Sequence, residues 1–320
     1  MTGPRPGPGS PGRRSARPRK RPRAAVILVL LALLAIAGIP AIAASSHHSG
    51  PSARRPASQV PQPRAGQRSP SQGAVAAAAA TRSQAAEWVS RQVSRSAIAA
   101  CDPAMCAALQ AAGVQAADLQ MLSASAADPL GADIVVATPA LQSQFGGRLG
   151  TVYAPAVLAR FGSGAAQIEV RVVAAGGAAA YTVALGQDVQ ARKGAAAQLL
   201  GNSKIKLQAA GRAELTAGQV DSRLLLMLAT LASVHPVQVL AFTDAGPGAD
   251  TSMPLRSAEL ASADHPAGMS ESSYVDWLRG VLRGQRPPYD SQISVAGAQG
   301  QPVVDVQFAA PSPLGLLKGG

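Results

Sequence analysis

Two hydrophobic periods run through the chain from residue 83 onward. Trp88, Val89 and Val93 recur at the spacing of one helix face. In residues 168–172, by contrast, hydrophobic residues alternate with Glu169 and Arg171, which is typical of a half-exposed strand. The two periods predict both helices and strands in this part of the chain.

These patterns alternate along the sequence. Strands are predicted over 119–122, 133–137, 156–161, 168–173, 204–208, 237–242, 293–296 and 303–308. Helices are predicted over 83–94, 103–112, 139–145, 178–200, 216–233 and 270–282, the second and third of them opened by Asp102-Pro103 and Thr138-Pro139. The alternation predicts an α/β fold in two small units with mixed sheets, residues 83–175 and 176–320.

A different pattern lies near the amino terminus, where residues 24–44 form an uncharged, leucine-rich run of 21 residues. At 1.5 Å per residue, a helix of this length spans roughly 31 Å, close to the hydrocarbon thickness of a bilayer. Eight basic residues precede the run, and none follows it before Arg54. This asymmetry predicts a single-pass anchor in the cell membrane, with a cytoplasmic N-terminus and an extracytoplasmic C-terminal part. A cleaved signal peptide ending at Ala41-Ile42-Ala43 is the alternative.

The segments on either side of this run have the composition of disordered chain. Residues 1–23 are predicted to form a basic cytoplasmic tail, and residues 45–82 a flexible linker rich in Pro, Ser, Gln, Arg and Ala. Residues 1–86 contain 13 basic residues and no acidic one, so the net charge of +12 falls to −1 over residues 87–320. Because the charge does not lie on the folded part, nucleic acid is excluded as a partner.

Cys101 and Cys106 are the two cysteines of the chain, and they flank the predicted N-cap Asp102. Residues at these two positions meet across the first helical turn. Because the compartment outside the membrane is oxidising, a disulfide is the leading interpretation. A redox pair, a metal site and two buried thiols remain alternatives, although the spacing is not that of a C-x-x-C motif.

Candidate chemistry is sparse. The sequence contains no G-x-S-x-G, H-E-x-x-H, P-loop or G-x-G-x-x-G motif, and neither a cofactor nor a metal is predicted. Ligands of open α/β sheets bind beyond the carboxyl ends of strands, where the first unit carries Asp102 and Thr138. Both residues are equally well explained as helix caps.

The second unit offers a long loop at 243–254 after a predicted strand. Long loops in compact domains are often functional, so Thr243, Asp244 and the downstream Arg256 are the candidate ligand-binding residues. Near the start of the 216–233 helix, Gln219, Asp221 and Arg223 are interpreted as capping and surface charges, or as a partner interface.

Several segments of the first unit resemble the extracytoplasmic C-terminal segment of actinobacterial multi-pass glycosyltransferase-like proteins and of single-pass relatives. They are Glu87-Trp88-Val89, Ala100-Cys101-Asp102-Pro103, 133–138, Ala159-Arg160-Phe161-Gly162 and Ile168-Glu169-Val170-Arg171, within roughly 84–175. The transferase body, with its many membrane helices, is absent. The resemblance therefore implies an envelope module without transferase activity.

The second unit resembles the peptidoglycan-binding domain of the outer-membrane-protein-A type. The matching segments are Ala213-Glu214-Leu215-Thr216, the helix that follows, 237–244 and 273–282. The Thr-Asp of that family falls on Thr243-Asp244. Its ligand-binding Arg has no clear counterpart, because Leu255-Arg256-Ser257 departs from the family pattern.

Together these features predict a membrane-tethered, non-enzymatic binding or accessory module of the cell envelope. Residues 24–44 would contact membrane lipid, and the partner would be an envelope protein or a glycan. An envelope hydrolase or a peptidoglycan-binding domain that uses the Thr243–Arg256 loop is the alternative.

Overall fold

The computed structural model describes residues 70–125, 128–243, 246–262, 269–282, 288–289, 291–298 and 301–317. Within this part of the chain, no helix combines the length and the hydrophobicity needed to cross a bilayer. The predicted tail at 1–23 and the predicted membrane span at 24–44 lie outside it, as does Asp244.

The described residues form an α/β structure with two five-stranded mixed sheets, as the sequence predicts. The first unit contains α1 (Pro70–Gln92), β1 (Ala99–Cys101), α2 (Pro103–Ala111), β2 (Leu119–Met121), β3 (Ile134–Ala137), α3 (Pro139–Phe145), β4 (Ala156–Phe161) and β5 (Ile168–Val172). The second contains α4 (Ala178–Leu200), β6 (Ile205–Leu207), α5 (Ala209–Ala217), α6 (Ser222–Val234), β7 (Val237–Thr243), β8 (Ser257–Ser262), α7 (Glu271–Leu282), β9 (Ser291–Ala298) and β10 (Gln301–Phe308).

The first sheet has the strand order β2-β1-β3-β5-β4 and a hydrophobic core on each face. β1 pairs in parallel with β2 and β3, whereas β5 pairs antiparallel with β3 and β4. In β3, Ile134 and Val136 pack on one face with α1 and α2, while Val135 and Ala137 pack on the other with α3. A fully buried, continuously apolar strand is what two covered faces require.

The second sheet has the order β6-β7-β8-β10-β9, and its hydrophobic core lies on one face. Leu260, Val304 and Val306 face this core, to which α4, α5, α6 and α7 also contribute buried residues. The intervening positions, which include Glu259, Asp305 and Gln307, face the other way. The second sheet therefore has one apolar face and one polar face.

Apart from small shifts at the ends of elements and the unpredicted strand β1, the structure differs from the prediction in three places. α1 begins at Pro70, so residues 70–82 of the predicted linker are helical. The helix predicted over 216–233 is two helices, because Gly218 adopts a left-handed conformation (φ 69°) and ends α5. β8 was not predicted, since Ser257–Ser262 is poor in β-branched residues.

The chain crosses between the two units after β10. Ala310 packs in the core of the first unit and forms a parallel bridge with Val93. Its N–H donates to Gln92 O at 2.7 Å, and Ser94 N donates to its carbonyl oxygen at 2.8 Å. The first unit is thus completed by residues from the end of the sequence.

Cys101 and Cys106 are joined by a disulfide between the end of β1 and the first turns of α2. Both residues are buried in the first core. The bridge closes a short loop around Asp102, whose carboxylate accepts a hydrogen bond from Met105 N at 2.9 Å and so caps α2.

Replacing both cysteines by alanine should lower the free energy of unfolding by about 2 kcal/mol, because a loop this short contributes modest chain entropy. Chemical unfolding of the full chain with and without dithiothreitol measures the effect. The reductant should destabilise the wild-type protein and leave the Cys101→Ala/Cys106→Ala variant unchanged. Equal sensitivity of the two proteins would contradict this.

Candidate functional site

The carboxyl ends of β1 and β3 meet at one edge of the first sheet. The two strands are parallel neighbours, with Ala99 paired to Ile134 and Ala100 to Val135. This pairing brings Asp102 and Thr138 together, although they are 36 residues apart in sequence, and the Thr138 hydroxyl donates to Asp102 Oδ2. Asp102 and Thr138, which the sequence predicts at the carboxyl ends of two strands, therefore form one hydrogen-bonded pair.

Beside this pair lies a cleft of about 260 Å³, here called the carboxyl-edge cleft. It is lined by residues of α1, the β1–α2 and β3–α3 junctions and the start of β5: Ala78, Arg82, Asp102, Ala104, Thr138, Pro139, Ala140, Ala166 and Ile168. Its walls are mostly small and apolar, and its polar groups are one guanidinium, one carboxylate and one hydroxyl. Such a mixture of an apolar wall and a few converging polar groups is typical of ligand sites.

Arg82 is the residue of this cleft that sequence reasoning missed. Its Nε is buried and has no hydrogen-bond partner among the described residues. Arg82 was assigned to the flexible linker, whereas α1 extends through it and places it over the cleft. The signal that could have revealed it is the helical spacing of Ala85, Ala86 and Val89, which continues the α1 pattern toward the amino terminus.

A larger cleft of about 380 Å³ lies at the opposite end of β1, between the last turns of α1 and α2. Val89, Val93 and Ala99 line its base, and Arg95 and Asp118 are its charged residues. In open α/β sheets, ligands collect at the carboxyl ends of the strands rather than at the amino ends. The carboxyl-edge cleft also contains the buried donor that lacks a partner, so we take it as the candidate site.

Of the ligand-binding residues predicted in the second unit, the structure describes Thr243 and Arg256, and these two do not converge. Thr243 is exposed at the end of β7 and pairs with Ser257 across the sheet. Arg256 is buried, and its Nη1 donates to Phe308 O at 3.4 Å. Because neighbouring side chains of a strand leave on opposite faces, Arg256 and Thr243 point to opposite sides of the sheet.

The described part of the loop that follows β7, from residue 246 onward, packs against the first unit. Residues 246–253, here called the clasp, lie along the edge strand β4: Arg160 N donates to Pro247 O at 2.7 Å and Asp250 N donates to Val157 O at 3.0 Å. The Asp250 carboxylate accepts from Val157 N at 2.9 Å and from Arg160 Nη2 at 2.8 Å. The clasp therefore covers an edge that would otherwise expose unpaired backbone groups.

Asp250 of the clasp belongs to a network of ion pairs that extends across β4 and β5. Arg160 bonds to Asp250 and, through Nε at 3.1 Å, to Glu169, which also pairs with Arg171. The hydrogen bond that Arg160 donates to Asp250, together with the bond and charge of Glu169 and the charge of Asp250, outweighs partial burial and raises the pKa of Arg160 above its usual value. These groups fasten the second unit to the first.

Two of the three residues considered for a partner interface are buried. Asp221 caps α6 by accepting from Arg223 N at 2.8 Å, and Asp221 and Arg223 form an ion pair inside the second unit. Gln219 is exposed, and its carbonyl accepts from Leu255 N at 2.7 Å. Asp221 and Arg223 are therefore structural residues, and the surface interpretation of these two was wrong.

Comparison of the chain with known proteins finds no similar protein. No family model matches the chain, and neither the curated proteins nor the solved structures contain a detectable match. The resemblances drawn from the sequence remain predictions.

Proposed function

We propose that this chain is a membrane-tethered binding module of the cell envelope that holds the end of a glycan in the carboxyl-edge cleft. The observation that carries the proposal is Arg82, which lines a cleft whose other polar groups are Asp102 and Thr138 and whose buried Nε has no hydrogen-bond partner among the described residues. The tether is the segment 24–44, and the folded part lies outside the cell membrane.

The chemistry of the cleft fits a polar, hydroxyl-rich ligand. Guanidinium and carboxylate groups side by side offer donors and acceptors to neighbouring hydroxyls, and their opposite charges do not favour a ligand of strong net charge. At about 260 Å³ the cleft is smaller than the roughly 300–1,000 Å³ of sites for drug-sized ligands. It therefore matches a single sugar unit at a chain end.

The cleft offers binding groups rather than an activated nucleophile. Asp102 is committed to capping α2 and to Thr138, and the Thr138 hydroxyl donates to Asp102. A hydrolase built on the 243–256 loop gains no support, since Pro247, Gly248 and Asp250 bond to β4. Binding without turnover is the function that the geometry favours.

Replacing Arg82 by alanine should weaken glycan binding about 10- to 100-fold, because a hydrogen bond to a charged group contributes about 1.5–3 kcal/mol. The assay is cosedimentation and titration of the full chain, in detergent or nanodiscs, with purified cell-wall polysaccharide and peptidoglycan fragments.

Arg91→Ala is the matched control for this test. Arg91 lies on the same helix but pairs with Glu87 on the exposed surface, at 2.9 Å, away from the cleft. Glycan binding of this variant should equal that of the wild type. If Arg82→Ala binds as tightly as Arg91→Ala, or if the wild-type chain binds none of the glycans, the proposed function is wrong.

A further inference from the structure

The polar face of the second sheet places two carboxylates directly opposite one another. β8 and β10 are antiparallel neighbours, and their register pairs Glu259 with Asp305 and Ser257 with Gln307. The neighbouring residues of these strands, Ala258, Leu260, Val304 and Val306, face the hydrophobic core. Glu259 and Asp305 therefore share the face that lacks this core, at the distance of a cross-strand pair, about 4.5–5.5 Å between Cβ atoms.

Asp305 is buried, and no described residue neutralises its charge. Its relative exposure is 5%, and its Oδ2 has no hydrogen bond among the described residues. No ion pair joins Glu259 or Asp305 to a described basic residue. Like charges placed opposite one another in a sheet are destabilising, and a buried carboxylate without a donor is more so.

A second unpartnered oxygen lies on the same face, and it comes from the first unit. Gln92, at the end of α1, donates from Nε2 to Gln307 Oε1 at 3.2 Å. Its own Oε1 is buried and has no partner among the described residues. Gln307 is two residues from Asp305 on the same strand, so both side chains leave on this face. Two buried oxygen acceptors, Gln92 Oε1 and Asp305 Oδ2, thus lie on this face without a donor among the described residues.

We propose that Glu259, Asp305 and the amide oxygen of Gln92 bind a calcium ion. Ca²⁺ accepts carboxylate, amide and water oxygens in irregular geometry, whereas Mg²⁺ demands a near-ideal octahedron and keeps more of its water. The cation neutralises the two facing carboxylates and gives the unpartnered oxygens a ligand. It also joins α1 of the first unit to β8 and β10 of the second.

The composition of the site predicts a weak affinity. No group of three or more His, Cys, Asp or Glu side chains that could hold a metal occurs among the described residues, so carboxylates alone do not complete this site. Two carboxylates assisted by an amide match the low-charge calcium sites of extracellular modules, with dissociation constants of about 10⁻⁴–10⁻³ M. That range suits a protein outside the membrane, where the proposed function places it.

The electrostatics of Asp305 agree with this arrangement. Burial first, and the charge of Glu259 second, raise the pKa of Asp305 to about 7. The native state therefore binds the proton more tightly than the unfolded chain, and without a cation stability falls as the pH rises toward 7.

The test is calorimetric titration of the full chain in nanodiscs with CaCl₂ at pH 8, together with thermal unfolding in CaCl₂ and in EDTA. The wild type should bind with a dissociation constant of about 10⁻⁴–10⁻³ M. Calcium at ten times that constant should raise its Tm by about 4 °C. Glu259→Gln and Asp305→Asn should each weaken calcium binding at least 10-fold, and Gln92→Ala should weaken it less.

Asp276→Asn is the matched control, because Asp276 is an exposed carboxylate on α7, and its calcium response should equal that of the wild type. Asp305→Asn should also be more stable than the wild type in EDTA at pH 8, which shows that the variant folds. A wild type that unfolds alike in calcium and EDTA overturns the proposal. The proposal is also overturned if low pH stabilises the wild type and calcium does not, because Asp305 would then be a protonated carboxyl. Glycan binding at the carboxyl-edge cleft is a separate readout.

Discussion

Replacing Arg223 by methionine should lower the free energy of unfolding by about 3–5 kcal/mol, because it leaves a buried carboxylate without its counterion. Asp221 and Arg223 are 1% and 2% exposed. Arg223 Nη2 lies 2.8 Å from Asp221 Oδ2, and Arg223 Nε lies 3.0 Å from Oδ1. The guanidinium therefore bonds to both carboxylate oxygens, of which Oδ1 also accepts from the backbone N–H of Arg223.

Arg223 also holds together segments that are far apart in sequence. Its Nη1 donates to Pro288 O at 3.0 Å, and its Nη2 donates to Ala309 O at 2.9 Å. The guanidinium lies over the ring of Phe308, with 4.9 Å from Cζ to the ring centroid. Methionine can fill the volume but donates to none of these groups, so two carbonyls lose their partner as well.

The pKa of Asp221 adds a dependence on pH. Burial alone would raise this pKa, but the charge and hydrogen bonds of Arg223 hold the pKa of Asp221 below its usual value. A depressed carboxyl pKa stabilises the native state above the pKa of the unfolded chain and loses that contribution as the pH falls through the native value. The cost of Arg223→Met should therefore be largest near neutral pH and should shrink in acid.

Urea unfolding of the full chain, followed by circular dichroism at pH 7 and at pH 3, measures both effects. Arg279→Met is the control, since Arg279 pairs with Asp276 at 3.6 Å on the surface of α7, where the two side chains are 38% and 74% exposed. Such a pair contributes about 0–1 kcal/mol. If Arg223→Met costs no more than Arg279→Met, the buried pair does not stabilise the second unit as described.

The Asp221–Arg223 pair also shows where sequence reasoning stops. From the sequence alone, two charged residues at a helix start are expected to lie on the surface. Asp221 was nevertheless correctly identified as a cap candidate. The pair is buried by residues 288 and 309, which are 65 and 86 residues away from Arg223 in the sequence and contact its guanidinium. Contacts at that separation leave no periodic signal.

By contrast, local sequence signals were sufficient to predict elements that depend on residues close together in the sequence. The Asp102-Pro103 pair predicts the start of α2, the alternation at 168–172 predicts β5, and the limits predicted for α4 coincide with Ala178–Leu200. Each of these depends on a cap or on a period that is complete within one element. β8 has neither signal, so its pairing with β7 and β10 defines it.

The candidate site was predictable in part. Asp102 and Thr138 follow from the rule that ligands bind beyond strand ends, and the parallel pairing of β1 with β3 brings them together. Arg82 was missed because residues 70–82 are rich in alanine, a composition that fits a linker as well as a helix, and only the helical spacing that continues from Val89 pointed to a helix. The loop at 243–254 was predicted to be functional because of its length. In the structure its Asp250 bonds to strand β4, about 90 residues earlier in the sequence.

Replacing Gly246 by alanine should detach the clasp from β4 and lower the free energy of unfolding by about 2–3 kcal/mol, since forcing extra volume into a packed contact costs this much. A Cβ at this position would lie 2.1 Å from the carbonyl oxygen of Leu158. That oxygen belongs to the backbone of an edge strand and cannot rotate away. The clasp must move, and the bonds of Pro247 and Asp250 to β4 move with it.

The same substitution elsewhere should have the opposite sign. Gly186 lies on the exposed side of α4, where a Cβ would meet nothing within 4 Å. Gly186→Ala should therefore stabilise the protein by about 0.4–1 kcal/mol, because alanine loses less backbone entropy in a helix. The two variants add one methyl group each, so the difference between them isolates the contact with Leu158.

Hydrogen exchange locates the effect at the atoms that the clasp protects. Val157 N donates to Asp250 Oδ2 and Arg160 N donates to Pro247 O, so both amides should exchange faster in Gly246→Ala and at the wild-type rate in Gly186→Ala. A loss of stability without faster exchange at these two amides would mean that the damage lies elsewhere in the second unit. Faster exchange at β4 alone, with the second sheet still protected, is the outcome expected if the clasp fastens two units that each keep their own core.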